Sequence, residues 1–113
     1  MENKVNYLGN FRYGLLNSDI EKITSVLKKY EEIEEVVIFG SRAKGNFKEY
    51  SDIDLTLLGE SISQRMLFKI KIDLDLLNLP YIFDLSIKNK IDNPDLLDHI
   101  NRVGILFYKK FPS

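Results

Sequence analysis

The sequence predicts an α/β fold of the α+β kind, with helices packed on a small sheet, and three observations carry that prediction. Apolar residues recur at helical spacing in three stretches, 18–30, 63–78 and 93–103. Between and after them lie short β-branched and aromatic runs at 35–39, 52–58, 81–87 and 105–108. Breakers separate the two kinds of segment: Gly40-Ser41, Gly59, Asn78-Leu79-Pro80 and Gly104. The resulting order is helix, strand, turn, strand, helix, strand, helix, strand. It predicts a sheet covered by helices and leaves the strand order open.

In chain order, residues 1–17 are mixed, and the alternation of Phe11, Tyr13 and Leu15 suits either a short edge strand or a tail over the core. Ser18 and Glu21 have capping-box spacing ahead of Ile20, Ile23, Leu27 and Tyr30, which predicts the first helix. The acidic stretch Glu31 to Glu35 reads as a solvated bend. Val36 to Phe39 reads as a buried strand, followed by one helical turn near Ser41 to Lys44 that Gly45 ends. In the strand 52–58, Ile53, Leu55 and Leu57 alternate with Asp52, Asp54 and Thr56.

Residues 63–78 fit both periods, but sixteen residues is long for a strand, so a helix is expected. Its apolar stripe is Met66, Leu67, Ile70, Leu74 and Leu77, with Ser61 and Gln64 as caps and Lys69–Asp73 and Lys71–Asp75 as i,i+4 pairs. Tyr81 to Ile87 is a third strand with Asp84 opposite its apolar face. Asn93-Pro94 starts a last helix through Leu96, Leu97, Ile100 and Val103, before a strand at Ile105 to Tyr108.

The chemistry concentrates in residues 35–58. A glycine and a serine at the end of a buried strand leave room for a ligand and offer amides and a hydroxyl to phosphate. Alternate residues of a strand lie about 6 to 7 Å apart on one face, so Asp52 and Asp54 can converge on a divalent ion. Oxygen ligands of this kind select Mg²⁺ or Mn²⁺. Asp84 is the candidate third acid, because a lone charge in Phe83-Asp84-Leu85 is costly without a partner such as a metal. It is also the candidate acceptor of a proton from an attacking hydroxyl. Arg42 and Lys44 are candidate contacts to phosphate or to the acidic partner, or simply solvated loop cations.

Taken singly, each of these features has a bland reading. Gly-Ser is often only a tight turn, and Asp-x-Asp a solvated strand edge. Asp73-Leu74-Asp75 repeats the pattern on an expected helix, where i and i+2 diverge, and reads as a surface pair. His99, the single histidine, lacks companions for a zinc or Ser-His-Asp site and reads as structural or exposed.

Composition narrows the classes. The 113 residues carry 44% hydrophobic side chains, enough for a single domain spanning 1–113 with its core at about 15–108. A formal net charge of −1 supplies no global field for nucleic acid, so direct nucleic-acid binding is not expected. There are no cysteines, no charged and apolar leader and no run long enough for a membrane span. A cytoplasmic protein without membrane partners is expected.

The run Phe39-Gly40-Ser41, ten residues from Arg42 to Ser51, Asp52-Ile53-Asp54-Leu55 and a later Phe83-Asp84-Leu85 resembles the nucleotidyltransferase superfamily that includes DNA polymerase β. Gly-Ser-Arg-Ala-Lys-Gly followed by Ser-Asp-Ile-Asp-Leu is similar to its small stand-alone members, the minimal nucleotidyltransferases or MNT family. The likeness spans roughly Leu15 to Tyr108. It implies a small mixed sheet of the polymerase β type and two Mg²⁺ ions on Asp52, Asp54 and Asp84. It also implies ATP or another NTP with its phosphates at Gly40 and Ser41, and transfer of a nucleotidyl group with release of pyrophosphate. Small members are commonly encoded beside a HEPN-domain toxin, and some adenylylate a tyrosine of that partner. The resemblance therefore implies an antitoxin that transfers AMP to a HEPN toxin and assembles with it. The competing readings are a module that blocks its partner sterically and a transferase for a small molecule or RNA.

Overall fold

The protein is seen in a computed structural model that describes residues 11–111. The first ten residues of the expected N-terminal segment lie outside the described residues.

The chain enters as a hairpin of its own, neither edge strand nor tail: β1 (Phe11–Arg12) pairs antiparallel with β2 (Leu15–Leu16). Tyr13 and Gly14 turn between them with φ of 58° and 74°, the doubly left-handed geometry that joins two short strands without splaying them. Leu15 is driven fully into the core. Helix α1 (Asn17–Leu27) follows without a break, and Leu16 takes the extended cap position. Ser18 therefore lies inside the helix, and the expected capping box with Glu21 does not form. Ile20, Ile23, Val26 and Leu27 face inward, as their spacing requires.

Four strands make the main sheet: β3 (Glu35–Phe39), β4 (Ile53–Leu58), β5 (Phe83–Ile87) and β6 (Ile105–Lys109), in the order β5-β4-β3-β6. β3 runs antiparallel to both β4 and β6, while β4 and β5 are parallel. The parallel pair needs a crossover, and α3 (Gln64–Asp75) supplies it. The sheet is therefore mixed. β4 and β5 begin one and two residues later than the apolar runs suggested, leaving Asp52 and Tyr81 just outside the strands.

Alternation gives the sheet two unlike faces. Val36, Ile38, Ile53, Leu55, Leu57, Phe83 and Ile87 pack in one core cluster with Ile23 and Leu27 of α1 and Ile70 and Leu74 of α3. The opposite face carries Phe39, Asp54, Thr56 and Asp84, and α4 (Pro94–Val103) crosses it at the β3 end. Asn93 caps α4 as expected, its Oδ1 accepting the N–H groups of Asp95 at 2.9 Å and Leu96 at 3.2 Å.

Two expected details of α3 change. Ser63 caps it by accepting the Met66 N–H at 3.1 Å, in place of Ser61 or Gln64. The Lys71–Asp75 pair forms at 3.0 Å, but Asp73 accepts a hydrogen bond from the Tyr30 hydroxyl instead of pairing with Lys69. Burial and that bond push the Tyr30 phenol up to about 12, so it stays a donor. On its outer side α3 exposes Phe68 and Ile72, continued by Leu76 at its C-cap, an i, i+4, i+8 stripe that nothing in the described residues covers. Among the described residues no helix is long and apolar enough to cross a membrane.

Candidate active site

β3 ends at Phe39 in register with Asp54 of β4, so the next residue must turn directly over that carboxylate. Gly40 does so at φ 73°, a left-handed conformation in which a side chain is strained. A Cβ built on it would collide with Asp54 Oδ2. The short helix α2 (Gly40–Lys44) then closes on Gly45, whose φ is 92° and whose N–H reaches the Ser41 carbonyl at 2.9 Å. Gly40→Ala is therefore expected to cost about 2 kcal/mol or more from backbone strain and the forced displacement of Asp54. Thermal melting checks the cost, and turnover should fall with it. An alanine variant that melts and turns over like the native chain would contradict this geometry.

The carboxylates meet across the parallel pair. Asp54 and Asp84 are in direct register on β4 and β5, and Asp52 stands two residues ahead of Asp54. Asp54 is half-buried while Asp52 and Asp84 are exposed. Burial pushes the Asp54 carboxyl up to about 6, and Asp84 and Asp52 add to the rise by repulsion, as does the hydrogen bond that protonated Asp54 donates to Asp84, with Arg42 pulling the other way. Among the described residues no three acidic or histidine side chains already close around one metal position. The donor set nevertheless fits a hard divalent cation, since it is all carboxylate oxygen and its mutual repulsion is what such a cation relieves. In the row beyond, the hydroxyls of Thr56 and Ser86, also in register, are buried without a hydrogen-bond partner.

The loop cations part ways. Lys44 is exposed at the end of α2. Arg42, expected at the phosphates, is only 2% exposed. Its Nε donates to the Ser51 carbonyl at 3.0 Å, one Nη to Tyr13 at 2.9 Å and the other to Glu49 at 3.2 Å. Its guanidinium lies over the rings of Tyr81, at 4.8 Å, and Phe47, at 5.2 Å. Its visible role is packing: irregular backbone without ladder partners needs donors, and Arg42 provides them beneath the loop. Burial lowers its pKa, while Tyr81, Asp52 and Asp54 pull it back up.

His99, read from the sequence as structural or exposed, is structural and reaches the site. His99 Nε2 accepts the Gly40 N–H at 3.1 Å, and its ring stands edge-on to Phe39 with centroids 6.1 Å apart. The helix bearing it was legible; its crossing over the end of β3 was not, and no local signal marks the contact.

The polymerase beta nucleotidyltransferase family model matches residues 21–112. No curated protein matches the chain. Among solved structures, a chain from a toxin-antitoxin crystallised with AMP-PNP superimposes with a TM-score of 0.66 at 19% identity, covering 80% of this chain and 73% of that one. A chain from the tri-AMPylated Shewanella oneidensis HEPN toxin in complex with MNT antitoxin gives 0.62 at 16% identity, over 83% and 72%. The toxin-antitoxin MntA-HepT gives 0.61 at 16% identity, over 83% and 73%. These likenesses establish a shared fold. With the family model spanning β3, the Gly-Ser turn, β4 and β5, the chain belongs to the polymerase beta nucleotidyltransferase family.

Proposed function

We propose that the protein is a metal-dependent adenylyltransferase that moves AMP from ATP to a tyrosine hydroxyl of a HEPN-type toxin and thereby acts as its antitoxin in the cytoplasm. The observation that carries this reading is the seating of Gly40 against Asp54 with Asp84 in register beside it. A phosphate-side turn and an acidic cluster then stand side by side at the ends of β3, β4 and β5. In this reading the Ser41 hydroxyl and the turn orient the triphosphate, with Lys44 in reach of its outer charge. Asp52, Asp54 and Asp84 would hold Mg²⁺, or Mn²⁺ in its place. When bound, the metal neutralises phosphate charge and stabilises the departing pyrophosphate. Asp84, exposed at the edge strand, takes the proton of the acceptor hydroxyl. The freed oxygen forms its bond to the α-phosphorus as the bond to pyrophosphate breaks.

A protein acceptor is supported by the surface beside Asp84. A cleft of about 290 Å³ runs between Phe68 and Lys71 of α3 and Asp84 and Leu85 of β5, and it adjoins the exposed stripe Phe68, Ile72 and Leu76. Contiguous apolar surface of this kind suits a protein partner better than a sugar or a nucleic acid. The structural neighbours solved as MNT–HEPN complexes point the same way.

The test is incubation with labelled ATP and Mg²⁺, with and without the protein encoded by the adjacent gene, read by intact mass. The expected result is a partner heavier by one or more AMP groups, with the gain lost in Asp52→Ala. Stable complex formation without mass gain from any of the four NTPs would replace this reading with a module that blocks its partner sterically.

A further inference from the structure

We propose that His99 is a positioning residue for the nucleotide side of the site: it holds Gly40 in place through its amide and withdraws that amide from phosphate binding. The kinetic consequence rests on the transferase reading; the structural one does not.

Gly40 is gripped from two sides by elements far apart in sequence. From β4, Asp54 lies so close that no side chain fits between. From α4, the imidazole of His99 takes the Gly40 N–H at 3.1 Å. An imidazole nitrogen accepts only when it carries no proton, so Nε2 is bare and the ring proton resides on Nδ1. A backbone N–H makes one strong bond in one direction, and an amide aimed at His99 is not aimed at a phosphate. Among the groups of the Gly-Ser turn, phosphate binding then falls to the Ser41 hydroxyl and the amides that follow Gly40.

The contact also fixes the tilt of the turn. Gly40 tolerates φ 73° but is not restricted to it, because glycine has wide conformational freedom. The external acceptor is what selects one conformation. Phe39 steadies the acceptor in turn, its ring at 77° to the imidazole. A residue present merely to fill space would need only the ring packing; a positioning residue needs the lone pair.

Two substitutions separate these roles. His99→Phe keeps an aromatic ring against Phe39 and removes the acceptor, whereas His99→Gln removes the ring and restores an amide oxygen near the Nε2 position. The measurements are hydrogen exchange of the Gly40 amide in nucleotide-free protein and the dissociation constant for MgATP. In His99→Phe the amide is expected to exchange about tenfold faster and MgATP to bind about five- to tenfold more weakly, the effect of one lost hydrogen bond. His99→Gln should stay within about twofold of the native protein in both.

Unchanged exchange in His99→Phe would overturn the proposal, as would a His99→Gln variant as impaired as the phenylalanine one. Tighter MgATP binding in His99→Phe would also overturn it, because His99 would then be competing with phosphate for the amide. If neither the native protein nor the variants bind MgATP, the transferase reading fails while amide exchange still decides whether His99 holds Gly40.

Discussion

Asp54→Asn is expected to abolish nucleotidyl transfer and, in the same protein, to raise stability in the absence of metal at neutral pH. The catalytic loss follows from removing the one carboxylate that touches both the Gly-Ser turn and Asp84; losing such a charge in a transition-state site costs on the order of 10²- to 10³-fold in rate. The stability gain follows from the same crowding. Burial, then Asp84 and Asp52, raise Asp54 to about 6 from an ordinary 3.8. Between those values the folded chain holds a proton that the unfolded chain has released, so stability falls as pH rises through that window. Above about pH 6 the native metal-free protein carries an ionised, repelled carboxylate that asparagine does not.

The advantage of the variant should therefore be largest above about pH 6, shrink as pH falls and vanish below the ordinary carboxyl value. Discounted for the solvent that still reaches the group, it amounts to about 1 kcal/mol. Mg²⁺ should stabilise the native protein and not the variant, by binding the folded state alone. Melting curves at pH 4 and pH 8, with and without Mg²⁺, check every arm. A variant less stable than the native chain at pH 8 without metal would make Asp54 a structural residue.

The parts of this site that were legible in the sequence are those set by local period. Ile53, Leu55 and Leu57 alternate with Asp54 and Thr56, and a strand obeying that alternation has to put the acid on the far side from the core. Asp84 was legible as a charge isolated between Phe83 and Leu85. The register that sets Asp54 opposite Asp84 was not, because strand order is decided by non-local pairing through the α3 crossover. Tyr13 failed as a strand signal for a local reason: with Gly14 it adopts positive φ and forms a turn, which alternation alone does not reveal. The partners of His99 and Arg42 were not legible for a tertiary reason. A side chain's partners depend on which segments meet around it, and Arg42 gathers groups from Tyr13, Phe47, Glu49, Ser51 and Tyr81.

Arg42→Ala is expected to produce the largest loss of stability of any single change near the site, about 3 kcal/mol or more. Three carbonyls lose their donor at once, those of Tyr13, Glu49 and Ser51, and the space between Phe47 and Tyr81 is left unfilled. Part-buried acceptors stripped of a buried donor bear some of the cost of lost hydration, which is why the effect exceeds that of an exposed cation. Arg42→Lys separates this role from a phosphate contact. A lysine retains the charge as a compact point on a flexible stem, without the planar fork that reaches three directions, so it should recover only a minor share of the loss. Were Arg42 a phosphate ligand, the lysine variant would melt like the native protein and show only weaker nucleotide binding. The consequence for activity runs through the backbone: Ser51, whose carbonyl the guanidinium holds at 3.0 Å, immediately precedes Asp52. Releasing it frees the segment that aims the first acid of the cluster. Arg42→Lys should therefore lose transfer at temperatures well below its melt, because a folded protein with a misplaced Asp52 still lacks a complete set of carboxylates.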